Sequence, residues 1–427
     1  MYRPRSFTHK LIAPVATGIE GILSRESILA RMIRLILVLL AASALAAQPI
    51  RPPLHTEGHA ILDATGHPIR LTSVNWYGFD QKEFVAGGLD HAPLATIVRE
   101  IQDLGVNSVR LHWANETLER NPVVPDYAVK ANPQFKGKHA IDVMDAVIDA
   151  LAAAHIMVVV DNHVSRADWC CTETDSNGLW YNADYHESKW LAGWQTIVCR
   201  YKRQPWVVGA DLRNELRSGA AWVGTDPKLD WHAAAQRGGN AVLAANPQLL
   251  IMVEGPEYST NFTGFDKLPV VLKVAKRLVY SPHAYNSDKF HFANYDELKQ
   301  AYDARAGFLL HSEPAVPLWV GEFGTCQTLD CGANSDWFLL YIRYLKENHL
   351  AWSYWPLNGT QSSGQSRKYD TVEPYGLLSP DYQHFAAPKI INLLRSIEEQ
   401  PAATAARKLR TATEPSMSVV SALAHPE

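Results

Sequence analysis

The feature that most restricts this chain is a series of short apolar runs, each of which breaks off at a polar or aromatic side chain. IMVVVDN (156–162) and WVVGADL (206–212) are nearly continuous in apolar residues. That is the pattern of a parallel strand covered on both faces, not of a strand with one wet side. The expected strands are Ile69–Asn75, Asn107–Leu111, Ile156–Asn162, Val207–Arg213, Leu249–Glu254, Leu278–Ser281, Leu318–Glu322 and Ala351–Trp355. Amphipathic stretches alternate with them: Leu94–Leu104, Ala140–Ala154, Glu187–Tyr201, Leu229–Ala245, Glu297–Leu310, Asp336–Asn348 and Phe385–Glu398. Within Ala140–Ala154, Ile141, Met144, Val147, Ile148 and Leu151 recur three and four apart and mark one buried face. Gly255–Lys276 carries no such pattern, so the crossover after the fifth strand is expected to be short or missing.

Eight such units without an internal repeat predict an α/β fold, a (β/α)8 TIM barrel, as a single catalytic domain over residues 48–399. A barrel of this kind fills about 250 residues or more as one unit. A doubly wound open sheet is the competing architecture. Its Gly-x-Gly-x-x-Gly phosphate turn is missing after the first strand, which runs into NWYGFD (75–80).

Residues 1–47 read as an N-terminal extension and signal peptide. From Met32, Arg34 precedes an apolar run from Leu35 to Ala42, and Ala44-Leu45-Ala46 supplies a small-x-small cleavage pattern. The run is shorter than the about 20 residues of a spanning helix. Met32 is an alternative start, or residues 1–31 are an extended n-region; either way the expectation is a secreted or periplasmic protein. Residues 400–427, rich in Ala, Thr and Ser, are expected to be a disordered tail. Cys326 and Cys331 in TCQTLDC can close a small disulfide ring in an oxidising compartment. Of Cys170, Cys171 and Cys199 one must stay unpaired, and a bridge from Cys199 to the 170–171 loop is the expected pairing. A zinc site is disfavoured, because no second Cys-x-x-Cys and no His-x-His completes it.

A net charge of −4 gives no reason to expect a nucleic-acid or membrane partner, and the chain is expected to be a monomer without cofactor or metal. The 13 Trp and 17 Tyr, several at the ends of apolar runs, suit a ligand with flat apolar faces.

In a parallel barrel the C-terminal strand ends converge on one face, where active sites form. Here those ends carry Asn75-Trp76, Arg110 with His112-Trp113, Asp161-Asn162-His163, Arg213-Asn214-Glu215, Glu254, His283 with Tyr285, Glu322 and Trp355. Two carboxylates facing each other across such a mouth suit glycosidic-bond hydrolysis: one donates a proton to the leaving oxygen, the other attacks the anomeric carbon or activates water. Glu116, Glu215, Glu254 and Glu322 compete for the two roles. Glu116 lies in a polar loop past the second strand, and Glu254 suits a sugar contact or structural acceptor. Glu215 and Glu322 follow strongly apolar runs on strands that are not neighbours, which leaves room for a sugar.

The segments VNWYG, VNSVRLHW, VVDNH, VVGADLRNEL, SPHAY, LWVGEFG and YWPLNG, over about residues 55–395, resemble glycoside hydrolase family 5, the cellulase-type retaining (β/α)8 enzymes. The resemblance implies Glu215 as acid/base and Glu322 as nucleophile, with Asn214 on the sugar 2-hydroxyl. It implies that Arg110 and Tyr285 orient Glu322, that His163 and His283 line the −1 subsite, and that Trp355 forms its sugar platform. Trp76, Trp113 and Trp180 are weaker candidates for other subsites, with core packing the equal alternative for each. Arg213 and Leu216 depart from the His and Pro that commonly flank Asn-Glu in the family. The implied activity is endo-hydrolysis of β-1,4-glucan, with β-mannan, mixed-linkage glucan or another β-glycoside as alternatives. A silent sugar-binding barrel and a metal-dependent barrel hydrolase using His112, Asp161, His163 and His283 are the readings from other classes.

Overall fold

The computed structural model describes residues 49–286 and 292–397. The expected signal peptide and C-terminal tail therefore lie outside the described residues. The chain opens with a small antiparallel meander, β1 (His55–Glu57), β2 (Ala60–Leu62) and β3 (Pro68–Ile69). The parallel strands follow: β4 (Thr72–Trp76), β5 (Ser108–Ala114), β6 (Met157–Val164), β7 (Val207–Asp211), β8 (Leu250–Val253), β9 (Leu278–Tyr280), β10 (His283–Ala284), β11 (Trp319–Phe323) and β12 (Ala351–Tyr354). They hydrogen-bond in the order β10-β11-β12-β4-β5-β6-β7-β8-β9.

β9 and β10 are two pieces of one stave, divided where Pro282 has no N–H to give the ladder. β9 pairs with β8 and β10 with β11, and Tyr280 bridges Leu318. The Tyr280 N–H donates to the Pro317 carbonyl at 3.0 Å and the Gly321 N–H to that of Pro282 at 3.0 Å. The sheet thus closes into the eight staves of a (β/α)8 barrel, as the sequence pattern predicts.

Around it lie α1 (Leu94–Leu104), α2 (Asn115–Arg120), α3 (Ala140–Ala153), α4 (Glu187–Tyr201), α5 (Trp231–Ala245), α6 (Tyr295–Arg305), α7 (Ala333–Glu347) and α8 (Pro388–Ile397). Their starts carry the expected signals: Asp230 accepts from the Ala233 N–H at 2.9 Å and Asn294 from the Glu297 N–H at 3.1 Å. After β8 there is only one irregular turn, Pro256–Ser259, with Glu257 and Tyr258 at positive φ. The crossover helix, expected to be short or missing, is this short turn.

Two departures are local. The first expected strand, Ile69–Asn75, is split: Pro68–Ile69 pairs back onto β2, and the barrel stave starts only at Thr72. An antiparallel meander of two- and three-residue strands leaves almost no periodicity to read. Cysteine pairing also differs. Cys326 meets Cys331 as expected, but Cys170 meets Cys171, and Cys199 is exposed and free. Cys199 sits on the outward side of α4, away from the loop it was expected to reach.

The pleat divides the core in two. Val109, Leu111, Val158, Val160, Ile251 and Val253 pack outward under the helices. Met157, Val159, Leu250, Met252 and Trp319 fill the barrel interior, and Leu54, Ile61 and Leu71 of the meander segment plug its lower end. Alternate side chains on one strand serve the two cores.

One close approach gives a test of the helix layer. A Cβ on Gly238 of α5 would come within 2.3 Å of the buried Trp190 ring of α4. Alanine at a helical glycine gains about 1 kcal/mol of propensity, whereas overpacking a core costs about 1–3 kcal/mol. Gly238→Ala is therefore expected to lower the thermal midpoint; a raised midpoint in calorimetry would contradict this packing.

Candidate active site

Strand register places the polar layer. Asn75 pairs with Arg110, His112 with Asp161, Asp161 with Asp211, and His283 with Glu322. The inward parity that buries Met157 and Val159 lower in the barrel delivers Asp161 and His163 to its mouth. On β8 the same parity takes Leu250 and Met252 to Glu254.

Arg110 is fully buried at the centre of this layer. Its Nε donates to Asp211 Oδ2 at 3.0 Å, and Nη1 donates to Glu322 Oε1 at 2.6 Å and Asn75 Oδ1 at 3.0 Å. Nη2 donates to Glu254 Oε1 at 2.9 Å and Asn214 Oδ1 at 3.0 Å, and lies 3.0 Å from Asp161 Oδ1. Asp161, Asp211 and Glu254 bring oxygens within 4.8 Å of one another, a set that could hold a metal ion. The positive charge among them is the guanidinium, and its planar fork is already spent on their oxygens.

Glu322, at the end of β11, takes Arg110 on one oxygen and the Tyr285 hydroxyl on the other at 3.1 Å. Glu215 follows β7 at φ 44°, a left-handed conformation that a non-glycine residue adopts only when its surroundings hold it there. The holding contact is its own N–H, which donates to Glu254 Oε2 at 2.8 Å. An oxygen of Glu215 and one of Glu322 lie within 4.8 Å of each other. His283 Nδ1 is 3.2 Å from Glu215 Oε1 and 3.9 Å from Glu322 Oε2, with Nε2 3.3 Å from Glu254 Oε1.

Five carboxyl groups share this buried layer with few cations. Burial pushes the Glu254 carboxyl up to about 8 and that of Asp161 up to about 6. Burial alone would lower the His283 imidazole, but the charges of Glu254 and Glu322 outweigh it and hold its pKa well above the ordinary value. Burial likewise works to raise Glu215; the hydrogen bond and charge of His283 overcome it and leave the carboxyl below its usual range. Both directions favour the imidazole side of the His283–Glu215 hydrogen bond for the shared proton. His163 goes the other way, and burial lowers it to about 4.

Trp355 closes one side and is 8 % exposed. It lies against Tyr77, His112 and His163, with ring centroids 5.5, 5.3 and 5.7 Å away and planes within 22° of parallel. Trp76 and Trp113, in contrast, share the outward parity of Val74 and Leu111 and are fully buried under the helices. The Trp76 indole N–H donates to the Gly87 carbonyl at 2.9 Å, and full burial leaves that ring no face for a sugar. Trp180 is also fully buried. Glu116 starts α2, where it accepts from the Ala167 N–H at 3.0 Å and pairs with Arg120 outside the mouth.

The two departures at Asn-Glu have structural work. Arg213, fully buried, donates to Asn162 Oδ1 at 3.0 Å and to the Asn177 carbonyl at 2.6 Å; burial brings its guanidinium down to about 9. Leu216 is fully buried. Residues not singled out by sequence are Tyr77, Asp211 and Trp169. Asp211 was readable in principle, because it stands two residues before Arg213 on a strand whose neighbours end in polar side chains.

The family described as Cellulase (glycosyl hydrolase family 5) matches residues 62–361. An endoglucanase of Paenibacillus polymyxa is 30% identical over 378 residues, covering 84% of this chain and 90% of that protein. The major extracellular endoglucanase of Xanthomonas campestris is 30% identical over 341 residues, covering 76% and 69%. The catalytic domain of the Xanthomonas campestris enzyme superposes with a TM-score of 0.71 at 26% identity, over 81% of this chain and 99% of that one. An endocellulase from Pyrococcus horikoshii, solved with cellotetraose, gives 0.70 at 24% identity over 82% and 99%, a likeness of fold. The chain belongs to glycosyl hydrolase family 5, the cellulase family, and is a glycoside hydrolase.

Proposed function

We propose that this chain is a secreted, retaining endo-β-1,4-glucanase with Glu322 as nucleophile and Glu215 as acid/base. The observation that carries the reading is the separation of the two carboxylates, with an oxygen of each inside 4.8 Å. Retaining enzymes hold the pair about 5–5.5 Å apart, whereas inverting ones need about 6.5–9.5 Å to admit a water. Glucan as substrate is supported by the relatives named endoglucanase. Export is supported by the Met32–Ala46 pattern and by the Cys326–Cys331 pair.

In the first step Glu322 attacks the anomeric carbon while the glycosidic C–O bond breaks, and Glu215 gives its proton to the departing oxygen. In the second, Glu215 takes a proton from water as that water attacks the anomeric carbon and releases Glu322. Arg110 and Tyr285 fix both oxygens of Glu322 before the sugar arrives, so little reorganisation remains for the transition state. Asn214, whose Oδ1 accepts from Arg110, has only a long 3.4 Å contact from Nδ2 to His163 Nε2 and weak ones to the Cys170 and Cys171 sulfurs, so an amide N–H can turn to the 2-hydroxyl, a contact that strengthens as oxocarbenium character develops. His283 stores the proton that Glu215 must hold when the substrate is bound and returns it along their 3.2 Å contact.

Glu322→Ala is expected to cut hydrolysis of a soluble β-glucan on the order of 10⁴-fold, with partial recovery in azide and an α-glycosyl azide as product. Wild-type turnover in that variant would end the nucleophile assignment.

His283→Gln tests the proton store. In the wild type the alkaline limb of kcat/KM reports the His283–Glu215 pair, which keeps its proton well above the ordinary imidazole range. Without the imidazole, the proton must stay on a carboxyl, which gives it up at lower pH. The alkaline limb should therefore move toward acid, and a limb that stays in place would contradict the role.

A further inference from the structure

The loop after β6 brings Trp169, Cys170 and Cys171 over the barrel mouth, and it is pinned from both sides. The Arg367 guanidinium carbon stands 3.4 Å from the centre of the Trp169 ring, whose edge meets Tyr77 at 5.6 Å. Asp168 Oδ1 accepts from the Gln365 N–H at 2.7 Å, and Arg217 Nε donates to the Thr172 carbonyl at 2.9 Å. Between these anchors the two sulfurs are set against the reacting residues. Cys170 Sγ is 3.6 Å from His163 Nε2, and Asn214 Nδ2 is 3.9 Å from Cys170 Sγ and 3.7 Å from Cys171 Sγ. Both sulfurs come within 4.8 Å of a Glu215 oxygen. The two cysteines are partly exposed, so one side of the pair is open.

We propose that Cys170 and Cys171 are joined as a disulfide whose two sulfurs form the apolar wall of the sugar slot, packing against a β-glucosyl ring while Asn214 takes its 2-hydroxyl. This rests on the glycanase reading of Glu215 and Glu322. A disulfide has no proton to donate and accepts only weakly, so it keeps the Asn214 N–H dry without tying it up. A water in the same place would bind that N–H well and have to be displaced. A β-glucosyl ring carries its substituents equatorially and offers axial C–H faces to such a wall. A mannosyl ring turns an axial 2-hydroxyl out of its face beside Asn214, where the sulfurs cannot satisfy it. The wall therefore selects gluco over manno configuration.

The test compares the full chain with its C170A/C171A variant on soluble β-glucan and β-mannan, with melting recorded on the same samples. The variant should lose about tenfold in kcat/KM on glucan, keep its mannan rate, and stay folded at the assay temperature. In a C326A/C331A background, a water-soluble phosphine should reproduce that loss by cleaving the sulfur–sulfur bond to two thiols, the phosphine ending as its oxide with oxygen from water. The C170A/C171A variant should be indifferent to phosphine. Unchanged glucan kinetics and an unchanged glucan-to-mannan ratio after both treatments would overturn the wall. A wild type that hydrolyses no β-glycan would instead bring down the glycanase reading on which it rests.

Discussion

The site depends on a single buried cation. The Arg110 guanidinium donates to Asp211, Glu322, Glu254, Asn75 and Asn214 from a position with no solvent exposure. Ion pairs this deep gain little net stability, since desolvation consumes most of the Coulomb attraction, but deleting one partner leaves the others stranded at a cost of about 3–5 kcal/mol. The arrangement is therefore best understood as a positioning device. One planar fork fixes Glu322, the proposed nucleophile, Asn214, the proposed 2-hydroxyl contact, and the strand ends of β5, β7, β8 and β11 at once. Glu254 extends its reach, because the carboxylate that accepts from Arg110 also accepts the N–H of Glu215 and so sets the loop that carries it.

Charge crowding then supplies the chemistry. Too many carboxyls for the available cations force protons to be retained, and the geometry decides where. Glu254 and Asp161, fully enclosed, are pushed up by burial. Glu215 lies beside His283, whose raised imidazole is favoured for the shared proton. In the proposed mechanism such a carboxyl, depressed at rest but hydrogen-bonded to a raised imidazole, takes up a proton as substrate arrives, gives it to the leaving oxygen in the first step and accepts one from water in the second.

Much of this was legible in the sequence because a buried parallel strand is hard to disguise. The apolar runs, the missing crossover after Glu254 and the polar strand ends all follow from burial on both faces. What escaped was parity. Trp76 and Trp113 stand beside Asn75 and His112, and a strand end shows that an aromatic is near the mouth without showing on which side it points. Counting by twos from Arg110 through His112 puts Trp113 under the helices, and the pairing of Asn75 with Arg110 does the same for Trp76. The Cys170–Cys171 contact escaped for another reason. Neighbouring cysteines are rarely read as partners, and only the fold shows Cys199 turned to the outside. The small meander β1–β3 was lost because strands of two and three residues carry no period.

Arg213 and Leu216 show how a departure from a family pattern can leave the reacting groups alone. Both are fully buried, and Arg213 ties the strand end that precedes Glu215 to Asn162 and Asn177. The central claim is that Glu215 and Glu322 act by double displacement. The most direct measurement is proton NMR of the sugar anomer first released from a β-linked cello-oligosaccharide, recorded before mutarotation. The account predicts the β-anomer; first release of the α-anomer would contradict it.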